Sequence, residues 1–259
     1  MRRTPPRPKP SPSALRRDRL NAPRHGVARV LSKRGYCSRS EAEALVRAGR
    51  VALDGRVVRD PQAPAHADAR LAVDGVAVAA ATRVYLALNK PRGLVTTVRD
   101  ERGRDTVYRC FDGTGLPWVA PVGRLDKASE GLLLFCNDPV WAARVTAPEG
   151  HVLKTYHVQV DALPTPELLA QLQAGVVDEG ERLAARAARE LRRGARHAWL
   201  EIVLDEGRNR QIRRLLEANG VGVLRLVRVA IGGVRLGDLR KGAWRPLRPE
   251  EVAALARTD

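Results

Sequence analysis

An aspartate in a tight turn is the strongest candidate for chemistry in this 259-residue chain. Asp126 ends the sequence Gly-Arg-Leu-Asp, and a dense apolar run, Leu132 to Phe135, follows soon after it. That run is too short for a globular helix, so it predicts a strand buried on both faces. A carboxylate on a loop fixed by such a strand is held in place while it remains open to a substrate. The alternative is that Asp126 only caps or closes the turn.

Three further segments carry motifs in a fixed order around this turn. They are LNKPRGLVTT (88–97), LKTYHVQV (153–160) and EGRNRQIRRL (206–215). Together with GRLDKASEGLLLF (123–135), they resemble the RsuA family of ribosomal RNA pseudouridine synthases over residues 85–248. The resemblance implies an enzyme that isomerises a specific uridine of ribosomal RNA to pseudouridine and needs neither a metal nor an organic cofactor.

Pseudouridine formation breaks the bond between ribose and uracil N1, turns the base and rejoins it through C5. The reaction consumes no outside atom, so it needs a transient nucleophile or base, a pocket for an extruded nucleotide and a wall that holds the free base. Asp126 matches the catalytic aspartate of the family motif. Attack on the ribose, attack on the base and removal of a ribose proton are all compatible with a carboxylate at this position.

Two more residues match catalytic positions of the family. Tyr156 corresponds to the tyrosine that lies against the target base, although its strand position beside Val158 also suits a half-buried core tyrosine. Arg213 corresponds to the arginine that pairs with the catalytic aspartate and keeps it charged and oriented. The alternative for Arg213 is a solvated basic helix face. Its neighbour Arg214 is expected to face phosphate or solvent.

Basic residues beside the motifs are expected to position RNA rather than to react with it. These residues are Lys90, Arg92, Arg124, Lys154, Arg208 and Arg210. The alternative for Lys90, Arg92 and Arg124 is a structural role.

The elements that would position these groups alternate between strand-like and helical patterns, which predicts an α+β domain over residues 82–259. The resemblance implies a mixed, mainly antiparallel sheet with flanking helices. The predicted strands are Val84–Asn89, Gly131–Cys136, Thr155–Val160, Trp199–Leu204 and Val223–Val229. The predicted helices are Pro139–Thr146, Thr165–Ala174 with Thr165 as its cap, and Asn209–Ala218. Residues 180–196 are polar and irregular in pattern, so strand and loop are expected there.

A smaller helical region precedes this domain. Residues 25–35 carry one apolar helix face, and Ser38 with Glu41 forms the capping-box signature of a second helix. Asp54 followed by Gly55, between two short β-rich runs, predicts a hairpin.

Two helices followed by a hairpin resemble an S4 RNA-binding domain, expected here over residues 25–80. Its helices carry basic residues suited to phosphates and to the shape of folded RNA. They are Arg29, Lys33, Arg34, Arg39, Arg47 and Arg50. The alternative is an ordinary solvated basic face.

Composition narrows the class of partner. The formal net charge is +17, with 46 lysines and arginines against 29 acidic residues. Such a balance favours a polyanion through counterion release, so nucleic acid is the expected partner. A GC-rich genome would also enrich arginine. Residues 1–24 contain six prolines, eight basic residues and the single acid Asp18, which predicts a disordered basic arm. The arm either adds nonspecific RNA affinity or is a functionless extension.

Cysteine usage and hydropathy limit the compartment. Cys37, Cys110 and Cys136 are widely separated and form no Cys-x-x-Cys pair, so neither a disulfide framework nor a zinc site is predicted. No apolar run approaches the roughly 20 residues that a membrane span requires, and the N-terminus lacks an apolar signal core. A cytoplasmic monomer that does not bind membranes is expected.

The alternative function is a non-catalytic RNA-binding protein of ribosome assembly with the same fold. The joint presence of Asp126, Tyr156 and Arg213 favours the enzyme, because a binding module has no need of all three. A DNA-binding protein has neither a helix-turn-helix nor a zinc pattern in its favour. The substrate is expected to be free ribosomal RNA or an assembly intermediate.

Overall fold

The computed structural model describes residues 24–98 and 100–257. The chain divides into two compact units after Ala81, and each unit has its own hydrophobic core. The predicted basic arm, residues 1–24, lies outside the described residues except for Arg24. Within the described ranges, no helix combines the length and the apolar character that crossing a bilayer requires.

The N-terminal unit combines two short helices with a four-stranded sheet. The helices are Val27–Lys33 (α1) and Arg39–Arg47 (α2). The strands are His25–Gly26 (β1), Val51–Leu53 (β2), Arg56–Val58 (β3), Pro64–Ala65 (β4), Leu71–Val73 (β5) and Val76–Ala77 (β6). The main sheet has the order β3-β2-β5-β6, while β1 and β4 pair separately. The Ser38 hydroxyl caps α2 by accepting a hydrogen bond from the Glu41 N–H at 3.2 Å, as the sequence predicts.

The predicted hairpin is present, and a second hairpin follows it. Asp54 and Gly55 join β2 to β3 with positive φ angles of 49° and 86°. Asp74 and Gly75 join β5 to β6 in the same way, with φ angles of 50° and 81°. A turn whose two central residues are left-handed matches the twist of the flanking strands, and an Asp-Gly pair adopts this conformation at low cost. Sequence analysis missed the second hairpin, although LAVDGVAV has the same pattern as VALDGRVV.

The C-terminal unit is built on a nine-stranded sheet. Its strands are Tyr85–Lys90 (β7), Ala120–Val122 (β8), Glu130–Cys136 (β9), Lys154–Val160 (β10), Ala187–Arg193 (β13), Ala198–Leu204 (β14), Val223–Ile231 (β15), Val234–Arg235 (β16) and Trp244–Pro246 (β17). Val176–Asp178 (β11) and Glu181–Leu183 (β12) form a separate hairpin. The helices are Pro139–Thr146 (α3), Pro166–Ala174 (α4), Gln211–Glu217 (α5) and Pro249–Ala256 (α6).

The sheet order is β13-β14-β10-β15-β9-β7-β17, with β8 on β9 and β16 on β15. In this sheet β15 and β9 pair in parallel, and the other named pairs are antiparallel. The α+β fold with a mainly antiparallel sheet is therefore confirmed. Thr165 caps α4 by accepting a hydrogen bond from Leu168 N–H, as predicted. The segment 180–196, expected to be strand and loop, contributes β12 and β13.

Strand β9 is buried along its whole length, as its apolar run predicts. Leu133 and Phe135 belong to the core shared with α4 and α5, whereas Leu132 and Leu134 belong to the core shared with α3 and α6. Successive side chains of a strand point to opposite faces, so one strand serves both cores. This doubly covered strand directly follows the turn that carries Asp126.

Candidate active site

A cavity of about 580 Å³ lies between the Asp126 turn, strands β10 and β15, and the start of α5. Its size falls within the range of about 300–1,000 Å³ that is typical of ligand pockets. Asp126, Tyr156 and Arg213, which come from three separate segments, all line it. The structure therefore brings the three predicted catalytic residues to one place.

The Asp126 turn is held by the buried side chain of Lys90. Its ammonium donates hydrogen bonds to the carbonyls of Pro91 at 3.0 Å, Asp126 at 3.1 Å and Ser129 at 2.8 Å. These acceptors use all three donors of an ammonium. Burial lowers the pKa of Lys90 to about 8, although the charge of Asp126 acts in the opposite direction. The prediction that Lys90 contacts RNA is wrong, because the side chain is fully buried and its donors are used inside the protein.

Two more contacts from the segment 88–97 fix the same turn. The Thr96 hydroxyl donates to the Leu125 carbonyl at 2.7 Å and accepts from the Leu125 N–H at 3.3 Å. The Gly93 N–H donates to the Lys127 carbonyl at 2.8 Å. This segment therefore forms a frame around the turn.

The carboxylate of Asp126 is available for chemistry. Its side chain is partly exposed at the cavity, and no residue in the described ranges forms a hydrogen bond or ion pair with the carboxylate. The nearby charges that it influences are those of Lys90 and Arg213. A carboxylate that is fixed through its backbone and left free at its oxygens can act as a nucleophile or as a base.

Arg213 lies beside Asp126 without forming the hydrogen-bonded pair that the resemblance implies. Its guanidinium donates to the carbonyls of Ala128 at 3.3 Å and Val223 at 3.4 Å. Its Nε is buried and has no partner among the described residues. Burial lowers the pKa of Arg213, and the charge of Asp126 opposes this shift. The arginine thus holds the backbone two residues beyond Asp126 and places a positive charge close to the carboxylate.

The expectation that Arg214 faces phosphate or solvent is wrong. The hairpin formed by β11 and β12 surrounds its guanidinium with carboxylates, at 2.5 Å from Asp178 and 2.7 Å from Glu181. The hydrogen bonds that the guanidinium donates to these carboxylates, that to Glu181 first, raise the pKa of Arg214. Its side chain is only 14% exposed, so the network anchors α5 to the hairpin rather than serving RNA.

Tyr156 forms part of the cavity wall. It is 8% exposed and sits on β10 between Ile202 of β14 and Arg228 of β15. An aromatic ring at this position offers a flat apolar surface to a base in the cavity.

Arg228 is a cavity residue that sequence analysis missed. It is 5% exposed, its Nε donates to the Leu132 carbonyl at 2.7 Å, and one terminal nitrogen lies 3.5 Å from the Arg124 carbonyl in the Asp126 turn. The other terminal nitrogen has no partner within the described ranges. The available signal was an arginine at an inward position of its strand, between the apolar residues Leu226 and Ala230.

Gly131 allows Arg228 to approach the turn. The two residues are opposite each other in the parallel pairing of β9 and β15. A Cβ at Gly131 would lie 2.3 Å from the Arg228 carbonyl oxygen, and its φ of 101° also excludes other residues. The glycine of the motif Ser-Glu-Gly is therefore required for close contact between strands.

The remaining predicted RNA contacts of this unit differ in availability. Arg92, Arg124 and Arg210 are exposed. Arg208 is exposed as well, but its guanidinium is paired with Glu206 at 2.9 Å and with Glu181 of β12 at 3.3 Å. Lys154 is half-buried in the cavity wall, where burial and the charge of Arg228 lower its pKa.

Arg34 has a structural role in the N-terminal unit. Its guanidinium donates to the carbonyls of Val78 at 3.0 Å and Ala67 at 2.9 Å, and also to that of Ala69. These bonds tie the end of α1 to the segments around β5 and β6. The prediction of a phosphate contact is therefore wrong for Arg34, because both its terminal nitrogens are occupied by backbone.

The other predicted contacts of this unit stay predictions. Arg39 and Arg47 share Glu43, each at 3.3 Å, and Arg50 pairs with Asp74 at 2.5 Å. Such exposed pairs are weak and can exchange for phosphate. Arg29 and Lys33 are exposed on α1.

Comparisons with known proteins agree with this geometry. The family model described as RNA pseudouridylate synthase matches residues 84–218, and the S4 domain model matches residues 27–71. Ribosomal large subunit pseudouridine synthase B of Bacillus subtilis (strain 168) is 34% identical over 232 residues, which cover 88% of this chain and 94% of that relative. An uncharacterized RNA pseudouridine synthase of Mycobacterium bovis is 40% identical over 241 residues, with coverage of 88% and 92%.

A solved structure gives the same result. The crystal structure of a pseudouridylate synthase matches with a TM-score of 0.62 and 27% identity, covering 89% of this chain and 99% of that one. The enzymatic interpretation is therefore confirmed over the non-catalytic alternative. The chain belongs to the RNA pseudouridylate synthase family and carries an S4 domain in front of its synthase domain.

Proposed function

We propose that this enzyme isomerises a specific uridine of ribosomal RNA, which enters the cavity beside Asp126 as an extruded nucleotide. One observation carries the proposal. A free carboxylate faces a cavity whose other charged groups are six cations and the single acid Glu206. The cations are Arg124, Lys154, Arg208, Arg210, Arg213 and Arg228. The cations suit an anionic RNA strand, while the carboxylate is the group that can react.

The reaction conserves all atoms. The C1′–N1 bond breaks, the uracil turns within the cavity, and C5 bonds to C1′; C5 then loses its proton and N1 gains one. We assign the transient nucleophile or base to Asp126 and the support of the detached base to Tyr156. Cleavage leaves negative charge on the uracil, which Arg213 and Arg228 can stabilise because both are fixed before the reaction begins.

Ribosomal RNA is the proposed substrate for two reasons. The relative from Bacillus subtilis is by name a ribosomal large subunit enzyme. The N-terminal unit presents exposed cations, Arg29 and Lys33 among them, that suit folded RNA. The proposal includes a monomer that acts in the cytoplasm on free ribosomal RNA or on an assembly intermediate.

Pseudouridine mapping tests this function. We expect ribosomal RNA from cells that lack the gene to lose pseudouridine at one or a few positions. Wild-type enzyme should restore them, and the Asp126→Asn variant should not. Identical pseudouridine maps with and without the gene would contradict the proposal.

Removal of residues 1–81 should weaken RNA binding and flatten its salt dependence, because the exposed cations of the N-terminal unit are lost with their counterion release. The synthase unit has its own cores and is expected to stay folded. Affinity for an in vitro transcript of large-subunit ribosomal RNA, measured over a salt series, decides the matter. If the slope does not change, these cations do not contact the RNA.

The alkaline side of the pH profile should report on Lys90. Its folded-state pKa of about 8 lies below the ordinary value of 10.5. Above about pH 8 the neutral amine keeps two donors for three carbonyls, so the turn loosens and the single-turnover rate falls. Lys90→Met should lower the rate at every pH and remove this alkaline limb.

A melting curve at each pH separates this effect from unfolding. The unfolded chain binds more protons than the folded chain between pH 8 and 10.5, so the contribution of Lys90 to stability rises with pH in this window. Loss of activity without loss of stability is therefore expected. A rate that stays constant up to pH 10 would show that the Lys90 ammonium is not needed.

A further inference from the structure

One face of the sheet in the C-terminal unit is open over strands β13, β14, β10 and β15. Side chains that point away from the Tyr156 side remain partly exposed on each of these strands, for example His157, Trp199 and Val227. Because neighbouring residues of a strand face opposite ways, His157 lies on the reverse side of the sheet from Tyr156 and the cavity. This open face is therefore separate from the active site.

The edge of this face is rich in arginine. Residues 186–196, which include β13, contain five arginines and the single acid Glu190, and all five arginines are exposed. Strand β13 is the terminal strand of the sheet, so this segment forms the edge of the open face. Two of its arginines are paired, Arg189 with Glu201 at 2.8 Å and Arg193 with Glu190 at 2.6 Å. The proposed reaction uses none of them.

Two arginine side chains pack on the ring of Trp199 in the open face. The Arg192 guanidinium lies over its ring at 4.9 Å from the centroid, and that of Arg225 lies at 5.7 Å. Arg225 forms an ion pair with the buried carboxylate of Glu130 at 2.5 Å. Arg192 has no carboxylate partner in the described part of the chain. The cation next to Trp199 that keeps its donors free is therefore Arg192.

These groups line a shallow depression of about 340 Å³. We name it the reverse-face site and define it by its lining residues His157, Leu191, Arg192, Trp199, Arg225 and Val227. A guanidinium that is stacked on a tryptophan loses little side-chain entropy on binding, and its planar fork matches phosphate oxygens.

We propose that the reverse-face site is a second RNA-binding site, which holds backbone phosphates of an RNA segment remote from the target uridine. Arg192 contacts the phosphate and Trp199 holds its guanidinium in place. Arg186 and Arg196, which are exposed and form no ion pair in the described part of the chain, extend the positive surface along the edge of the sheet. The proposal adds a contact surface to an enzyme whose partner is RNA, and it does not depend on which residue reacts with uridine.

A structural role is the competing explanation, since charged side chains on an edge strand also prevent pairing with other chains. Arg192→Glu separates the two roles. The substitution keeps a charge on the edge and reverses its sign, so it preserves protection of the edge and disrupts phosphate binding. Arg257→Glu makes the same change in charge at an exposed position beyond α6 and serves as the matched control.

The test uses the full chain and an in vitro transcript of large-subunit ribosomal RNA. We expect Arg192→Glu to weaken affinity by about tenfold and to reduce the slope of log affinity against log salt by about one, as the loss of one phosphate contact requires. Arg257→Glu should change affinity by less than about twofold. Trp199→Leu should weaken binding by about threefold although all charges remain, because the guanidinium of Arg192 is no longer held.

Melting temperature and light scattering confirm that each variant is folded and unaggregated. Equal losses for Arg192→Glu and Arg257→Glu would reduce the effect to net charge and overturn the proposal. Unchanged RNA affinity in Arg192→Glu would overturn it as well and would favour a protein partner for this face. The readout is affinity, so failure of the proposed isomerisation would leave this result interpretable.

Discussion

Asp126→Asn is expected to abolish pseudouridine formation, with a rate loss of at least about a thousandfold, equivalent to about 4 kcal/mol of transition-state stabilisation. The substitution keeps the size of the side chain and removes only its charge. Within the described ranges the Asp126 carboxylate holds no hydrogen bond, so the fold loses no contact. Lys90 and Thr96 hold the turn through backbone groups, which the variant retains.

Release of tritium from a transcript labelled at uridine C5 measures this reaction directly. Asp238→Asn, at an exposed position, is the matched control and should retain full activity. RNA affinity of Asp126→Asn should stay equal or rise slightly, because a negative charge is removed from a cationic cavity. Turnover above a tenth of the wild-type rate would exclude Asp126 as the reactive group.

Arg213→Lys is expected to lower the single-turnover rate by about a hundredfold, which corresponds to about 2–3 kcal/mol. The planar guanidinium reaches the Ala128 and Val223 carbonyls together while its charge lies near Asp126. An ammonium is a point charge on a flexible stem and cannot reproduce this bridge.

Arg214→Lys provides the contrast on the same helix. It breaks the guanidinium network with Asp178 and Glu181, so it should lower the free energy of unfolding by about 1–2 kcal/mol while the rate of folded enzyme stays near wild type. Melting curves and single-turnover rates below the melting range separate the two variants. Equal rates for them would mean that Arg213 only stabilises α5.

Local patterns were sufficient to predict much of the fold. The apolar run of β9, the Thr165 cap and the first Asp-Gly turn each have a cause within a few residues of sequence. The second hairpin had the same local signal at Asp74-Gly75 and was overlooked. Strand β13 is harder to predict, because its arginines border the open face and obscure the alternation of apolar and polar residues.

The residues of the candidate site were predictable where the resemblance supplied them. They were poorly predictable where burial and distant partners decide the role of a side chain. Lys90, Arg34 and Arg214 were all assigned to RNA or solvent, since their basic side chains were judged without their partners. Each is instead surrounded by acceptors contributed in part from distant segments. Arg228 was missed for the same reason, because its role depends on the pairing of β9 with β15. Its partner Leu132 is 96 residues away from it in the sequence.

The double coverage of β9 has a consequence for local opening of the chain. A strand paired on both sides and packed on both faces has few exposed hydrogen bonds, so its amides are expected to exchange with solvent only in the largest unfolding events. The terminal strands β13 and β3 lie at sheet edges, where partial opening costs less free energy. These edge strands can therefore open while β9, which fixes the geometry around Asp126, stays closed.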